Sequence, residues 1–370
     1  MSIKALFVLD QVNRGGIEIQ ALDVARSAKE HGLELTIATT GGQLLDEFKR
    51  SDCEVIVLKR RFPIDIGYAK ALKRIVADRD IQIVQGHQAV DGLHVWMATR
   101  RLRDVKRIVT IEGFIPDRKN NLTLKFLMPK MDAVIFPSRS LRDWVREHDG
   151  LDAHENGVVI PNGADPARMR SDGNIRKELG IESEAAVLGM IGNFYRDPRK
   201  DQLTLVKALP KVFAEFPNVH CLFVGKTEPG AEHKFEACKQ FCEENGIAAR
   251  VHFLGSRGDV PNILATLDVF VLSSLHEGAP IAILEALFAE VPVVASDIPP
   301  HAEYTQDAHI LELFRTGDDD DLATKLIDVL SNKQKSSDMT DRAYDYALKN
   351  FSTLVRLERL RNLYERLLSE

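Results

Sequence analysis

The chain has 370 residues, 44% of them hydrophobic and 28% charged, with a formal net charge of −6. That length exceeds the ~250–300 residues that one core usually serves, so two domains are expected in an ordinary globular protein. Residues 1–168 carry 26 Lys and Arg against 23 Asp and Glu, and the remainder 23 against 32. This argues against general nucleic-acid binding and leaves an anionic acceptor or membrane surface open for the first half.

The four cysteines, Cys53, Cys221, Cys238 and Cys242, show no zinc-finger spacing, so a reduced, cytoplasmic chain is expected. MSIKALFVLDQV has no signal-peptide pattern, and no apolar run approaches the ~18 residues of a spanning helix, so any membrane contact is expected to be peripheral.

In chain order, Ile3 to Asp10 reads as a buried strand, followed by a turn with Gly15-Gly16, a helix, and a strand from Leu33 to Thr40. This is the βαβ opening of a doubly wound sheet. The loop lacks the G-x-G-x-x-G fingerprint, but two adjacent glycines permit close backbone approach to an anion; a plain tight turn is the alternative. Strands follow at Glu54 to Lys59 and Ile81 to Gln88, the second ending on His87, where α/β proteins bind ligands. A structural histidine is the competing reading. Arg100 to Arg107, with Lys59, Arg60, Arg61, Lys70, Lys73 and Arg74, would make a face for anionic lipid if the fold brought them together, and otherwise a solvated surface. IVTIEGF (Ile108 to Phe114) and Asp132 to Ser138 are further strands, VVIPNGAD closes this half, and Pro166 to Glu184 reads as a linker.

The second half restarts the alternation. AVLGMIGNF is a strand, RDPRKDQ a basic loop, and LTLVKALPKVFAEFP a helix; strands HCLFVG and RVHFLG follow, the latter leading into Ser256-Arg257-Gly258. Asp318 to Asp321 precede LATKLIDVL and act as an acidic helix start, not as metal ligands. FSTLVRLERLRNLYERLL is an amphipathic terminal helix.

The densest signal is Ser273 to Glu285, SSLHEGAPIAILE, between the strand Leu267 to Ser273 and the helix Ile281 to Ala289. A strand that ends in a Gly-containing loop and opens a helix presents backbone N–H groups and a positive dipole end, an anion site. Glu277 and Glu285 beside a phosphate make sense if they accept from hydroxyls further along the same ligand, so a sugar nucleotide is implied. Two surface glutamates on a plain strand–helix unit are the alternative. A bare E-x7-E carries no information, but in this setting, followed by PVVASD and Glu303, it resembles the signature of retaining glycosyltransferases of the GT-B fold, family 4 type.

The resemblance spans nearly the whole chain. It implies an α/β chain of two Rossmann-like, doubly wound parallel-sheet domains facing a cleft: residues 1–168 on the acceptor side, 185–345 binding the nucleotide sugar, and 346–370 a helix crossing back. It further implies that Glu285 accepts from the ribose and Glu277 from the donor sugar. Gly278, Ala279, Pro280 and Ile281, with Lys200 and either Arg196 or Arg199, would bind the diphosphate. Gly15 and Gly16 would close over that diphosphate, Arg257 would stand in the loop holding the base, and His87 would orient sugar or acceptor. Neither cofactor nor metal is expected. The partners implied are a UDP- or GDP-linked donor and a glycan or lipid-linked acceptor; the basic stretches of the first half leave peripheral contact with an anionic membrane open, and no nucleic acid is expected. Asn193, Glu112, Glu290 and Pro299-Pro300 depart from the family pattern. A sugar-nucleotide epimerase of similar architecture and an inactive binding or scaffold protein remain as alternatives.

Overall fold

The computed structural model describes residues 2–113, 117–152, 155–306 and 308–370. Phe114, the end of one expected strand, lies outside them. The chain divides into two compact units, Met1–Gly163 with Thr353–Glu370, and Ala164–Ser352.

The first unit holds β1 (Ile3–Leu9), β2 (Leu33–Thr39), β3 (Glu54–Val57), β4 (Ile83–Gly86), β5 (Lys106–Thr110), β6 (Ala133–Phe136) and β7 (Gly157–Val159), in the order 3-2-1-4-5-6-7. The second holds β8 (Val187–Ile191), β9 (His220–Val224), β10 (Val251–Gly255), β11 (Val269–Leu272), β12 (Val293–Ser296) and β13 (Glu312–Phe314), in the order 10-9-8-11-12-13. Every pairing in both sheets is parallel. Strands such as VFVL and VVAS are apolar but for Ser296 because helices cover both faces of a parallel sheet, and all eight of these residues are buried.

Each sheet has one place where the strand order reverses: β1 beside β4, and β8 beside β11. There the loops leave in opposite directions and open a crevice at the carboxyl ends of the strands.

The terminal helix, Thr353–Ser369, buries Leu357, Leu360, Leu363, Tyr364 and Leu367 in the core of the first unit with Phe7, Leu22 and Ile37. The expected domain limits shift accordingly. The chain returns at Thr353, after the helix Lys333–Phe351 breaks at extended Ser352. Residues 166–184, expected as a linker, pack into the second unit, where Met169, Ile175 and Ile181 join its core. Their apolar residues are too sparse to show a period, so composition alone reads them as a loop.

Tyr364 Oη donates to Gln85 Oε1 at 2.6 Å, and Gln85 Nε2 donates to Thr110 Oγ1 at 3.1 Å, all three residues being buried. Tyr364→Phe should leave the Gln85 carbonyl without a donor and lower stability by about 1–3 kcal/mol. Urea unfolding measures this directly, and an unchanged midpoint would show that Gln85 finds another partner.

Candidate functional site

The loop after β11 and the loop before the helix Gln202–Glu215 are stitched together by their backbones. Leu275 N donates to Arg199 O at 2.9 Å, and Asp201 N to Ser273 O at 3.0 Å. This places Lys200 Nζ 2.5 Å from Glu277 Oε1, with the two side chains only 8% and 11% exposed. Ser274 Oγ donates to the same Oε1 at 2.8 Å. Both contacts fall on one carboxylate oxygen, Oε1.

Two glycines make room. A Cβ on Gly192 would lie 3.2 Å from Lys200 Cε, so the lysine stem runs across that glycine. A Cβ on Gly225, whose φ is +155°, would come within 2.3 Å of the Gly192 carbonyl oxygen. The ends of β8 and β9 can therefore approach only without side chains.

Glu285 lies in the helix Ile281–Phe288, whose N-terminus no side chain caps. Its Oε1 accepts from Arg168 Nη2 at 2.9 Å. Arg168 was not anticipated from sequence. It comes from the short helix Pro166–Met169, started by Asp165, whose carboxylate accepts from Ala167 N. The two glutamates are thus each matched to a cation, Glu277 to Lys200 and Glu285 to Arg168.

The other cations are placed differently. Arg199 forms a bidentate pair with Asp197 and lies over the Tyr195 ring at 4.6 Å. Arg257 is held between Asp259 and Glu178 through four hydrogen bonds. Its guanidinium is committed to carboxylates, and it is the backbone of Ser256 to Gly258 that remains at that loop. Arg196 is exposed and has no hydrogen-bond or ion-pair partner among the described residues. Asn193, at a departure from the family pattern, accepts from Lys226 N through Oδ1 and so ties the loop after β8 to the loop after β9. Glu290 adopts a φ of +56°, a left-handed position that explains why glycine is usual there.

Beneath Glu277 lies His301, fully buried, with Nδ1 2.9 Å from Ser296 O. That contact requires the proton on Nδ1, which leaves Nε2 as a lone-pair acceptor. Nε2 has no hydrogen-bond partner among the described residues. Burial, above all, pulls its pKa down to about 4, with Lys200 adding and Glu277 opposing.

In the first unit, Gly15 is the extended N-cap of the helix Gly16–Ser27. The loop before it is fixed by the next one, with Val12 N donating to Gly41 O at 3.0 Å and Leu44 N to Val12 O at 2.8 Å. His87, after β4, has Nδ1 3.4 Å from Glu112 Oε1, and both side chains are buried. Glu112 thus orients the ring, while Nε2 has no hydrogen-bond partner among the described residues. Asp318, expected as a helix start, caps its helix by accepting from Asp321 N. Among the described residues no group of three or more His, Cys, Asp or Glu is disposed to hold a metal ion.

Folding requires the neutral His301 ring, whereas an unfolded histidine takes up a proton below about pH 6.5. Its stabilising contribution is fully present above that pH and is lost as pH falls towards about 4. Unfolding midpoints measured between pH 7 and pH 5 should therefore fall less steeply in His301→Leu than in the wild type. Parallel curves would mean that the ring carries its proton in the fold.

The family model "Glycosyl transferases group 1" matches residues 171–346, and "Glycosyltransferase Family 4" matches residues 14–168. The chain is 30% identical to a phosphatidyl-myo-inositol mannosyltransferase of Mycobacterium leprae, over 86% of this chain and 84% of that one. It is 28% identical to the UDP-Gal:alpha-D-GlcNAc-diphosphoundecaprenol alpha-1,3-galactosyltransferase of Escherichia coli, over 56% of this chain; the match spans about half of that relative, 53%. Among solved structures it is similar to Anabaena HepE in complex with UDP and glucose, with a TM-score of 0.83, 20% identity, and coverage of 98% and 100%.

Proposed function

The chain belongs to the group 1, family 4 glycosyltransferases, and from that premise we propose that it moves a sugar from a nucleotide diphosphate sugar to a hydroxyl of a glycan or lipid-linked acceptor. Transfer proceeds with retention of configuration and without a divalent metal. The observation that carries this reading is the disposition of the two glutamates: each keeps one oxygen on a cation and has the other to spare for hydroxyls. Glu285 Oε2 accepts from the ribose, and Glu277 Oε2 from the donor sugar. Lys200, with the amide end of the helix Ile281–Phe288 and exposed Arg196, meets the diphosphate and neutralises it as it departs. His87, oriented by Glu112, positions sugar or acceptor. A uridine donor is favoured, since the Escherichia coli relative is named for UDP-Gal and HepE was solved with UDP.

A panel of UDP, GDP, ADP and their sugars in EDTA should raise the melting temperature selectively for the uridine compounds. Glu285→Ala should weaken that binding about a hundredfold, the loss of charge-assisted hydrogen bonds to two hydroxyls, while circular dichroism stays unchanged. Undiminished affinity would remove the ribose assignment, and a response that needs magnesium would remove the metal-free mechanism.

The acceptor side supports contact with an anionic bilayer. No helix among the described residues is long and apolar enough to cross a membrane. Six of the eight exposed large apolar side chains among them lie in two segments: Val57, Phe62, Ile64 and Ile66, and Leu122 with Phe126. Exposed Lys59, Arg61, Lys70, Lys73 and Arg74 flank the first, and Arg118, Lys119, Lys125 and Lys130 the second. The helices Ile66–Asp78 and Arg118–Leu127 both pack on Ala89–Thr99, in one layer. Arg60, expected on this face, is instead drawn onto Asp10 at 2.5 Å. Apolar side chains interleaved with bases suit an interfacial surface. The protein should sediment with vesicles containing phosphatidylglycerol and not with phosphatidylcholine alone. Phe62→Glu with Ile64→Glu should abolish this without altering the melting temperature, and equal sedimentation with both vesicle types would refute the contact.

A further inference from the structure

A polar nest lies at the reversal point of the first sheet, where β1 and β4 are neighbours. Asp10 follows β1, Arg60 follows β3, and Asp91 stands in the first turn of the helix Ala89–Thr99. Arg60 Nη2 contacts Asp10 Oδ2, the two side chains being 17% and 30% exposed. Thr40 Oγ1 donates to Asp10 O at 2.6 Å and fixes the turn. Asp91 is buried beneath this rim. It is forced down by a close approach of backbones, since a Cβ on Gly86 would lie 2.7 Å from Gly92 N.

Two polar atoms here have no hydrogen-bond partner among the described residues, Asp91 Oδ1 and Tyr68 Oη. Tyr68, 2% exposed and on the helix Ile66–Asp78, feels Asp91, Asp10 and Arg60 electrostatically, so its hydroxyl belongs to the same nest. The charged groups that act on Asp91 are Asp10, Arg60 and Glu18, one cation against two further carboxylates. Burial first, then Asp10, pushes the Asp91 pKa up to about 8, with Arg60 opposing. An unpaired buried carboxylate is too costly to keep charged, and a proton is the cheapest neutraliser.

The chemistry of the rim selects its ligand. A phosphate would meet three carboxyl groups, and an ammonium would meet Arg60. A hydroxyl suits both rim groups, since it donates to the Asp10 carboxylate and accepts from the guanidinium. We propose that Asp10 and Arg60 form a subsite for a hydroxyl of a neutral sugar or polyol, and that Asp91 is a positioning residue that holds a proton beneath them. This rests on the reading of the chain as a transferase to hydroxyl acceptors.

The proton is tested without any ligand. A carboxyl protonated in the fold and ionised when unfolded makes stability fall as pH rises from about 4 to about 8. Asp91→Asn, a mimic of the protonated form, should flatten that slope by about one proton relative to the wild type; identical slopes overturn the proposal. The subsite is tested with methyl α-D-glucopyranoside, followed through the Arg60 side-chain and aspartate carboxyl NMR signals. The wild type and Asp91→Asn should bind it, and Asp10→Asn or Arg60→Gln should bind it at least about tenfold more weakly. Equal binding in all four proteins, no binding in the wild type, or tighter binding of glucose 1-phosphate overturns the subsite. Nucleotide titration of the same samples is a separate readout: glycoside bound without any nucleotide response would keep the subsite and remove the transferase reading.

Discussion

Two opposite charges about nine-tenths removed from water, Lys200 and Glu277, meet at the end of β11, and much of the second unit's local structure follows from them. Taking either ion out of water alone would cost several kcal/mol, so the two loops that carry them must arrive together. The backbone hydrogen bonds from Leu275 and Asp201 across the two loops secure that arrival. Gly192 and Gly225 leave the space the lysine stem and the strand ends need, and Ser274 supplies a further donor. The result is a carboxylate with one oxygen fixed on Lys200 and Ser274, held by the fold and not by its own rotamers.

The same logic operates in the first unit with different groups. The reversal of strand order brings together residues far apart in sequence: Asp10, Arg60 and Asp91, and nearby in the chain His87 with Glu112. Burial is deepest for the members with the fewest partners. Asp91 Oδ1, Tyr68 Oη and His87 Nε2 all lie at the carboxyl ends of strands or in the helices that follow them. Unsatisfied polar atoms are rare in folded proteins and call for a reason, and the carboxyl ends of parallel strands are where α/β folds leave room for one.

What could be read in advance was whatever leaves a periodic or local mark. Apolar runs such as LFVL and VFVL announced buried parallel strands, and the amphipathic stripe of the last helix announced a buried face. Glu277 and Glu285 stood out because a strand, a Gly-Pro loop and a helix surrounded them. The fate of the arginines could not be read. Arg199 and Arg257 have the right type and place for a diphosphate or base loop, yet Asp197, Asp259 and Glu178 hold them. Glu178 lies in a stretch whose composition reads as a linker.

The sequence by itself determined the fold class, the order of the elements and the signature pair of glutamates, because backbone periodicity and turn chemistry act between near neighbours. Only the tertiary structure decided which cation each carboxylate meets. Arg168 reaches Glu285 across 117 positions and Arg60 reaches Asp10 across 50, pairings fixed by strand order and helix packing. It also decided that His301 and Asp91 lose their water, and it is desolvation, a property of the packed interior, that sets their protonation.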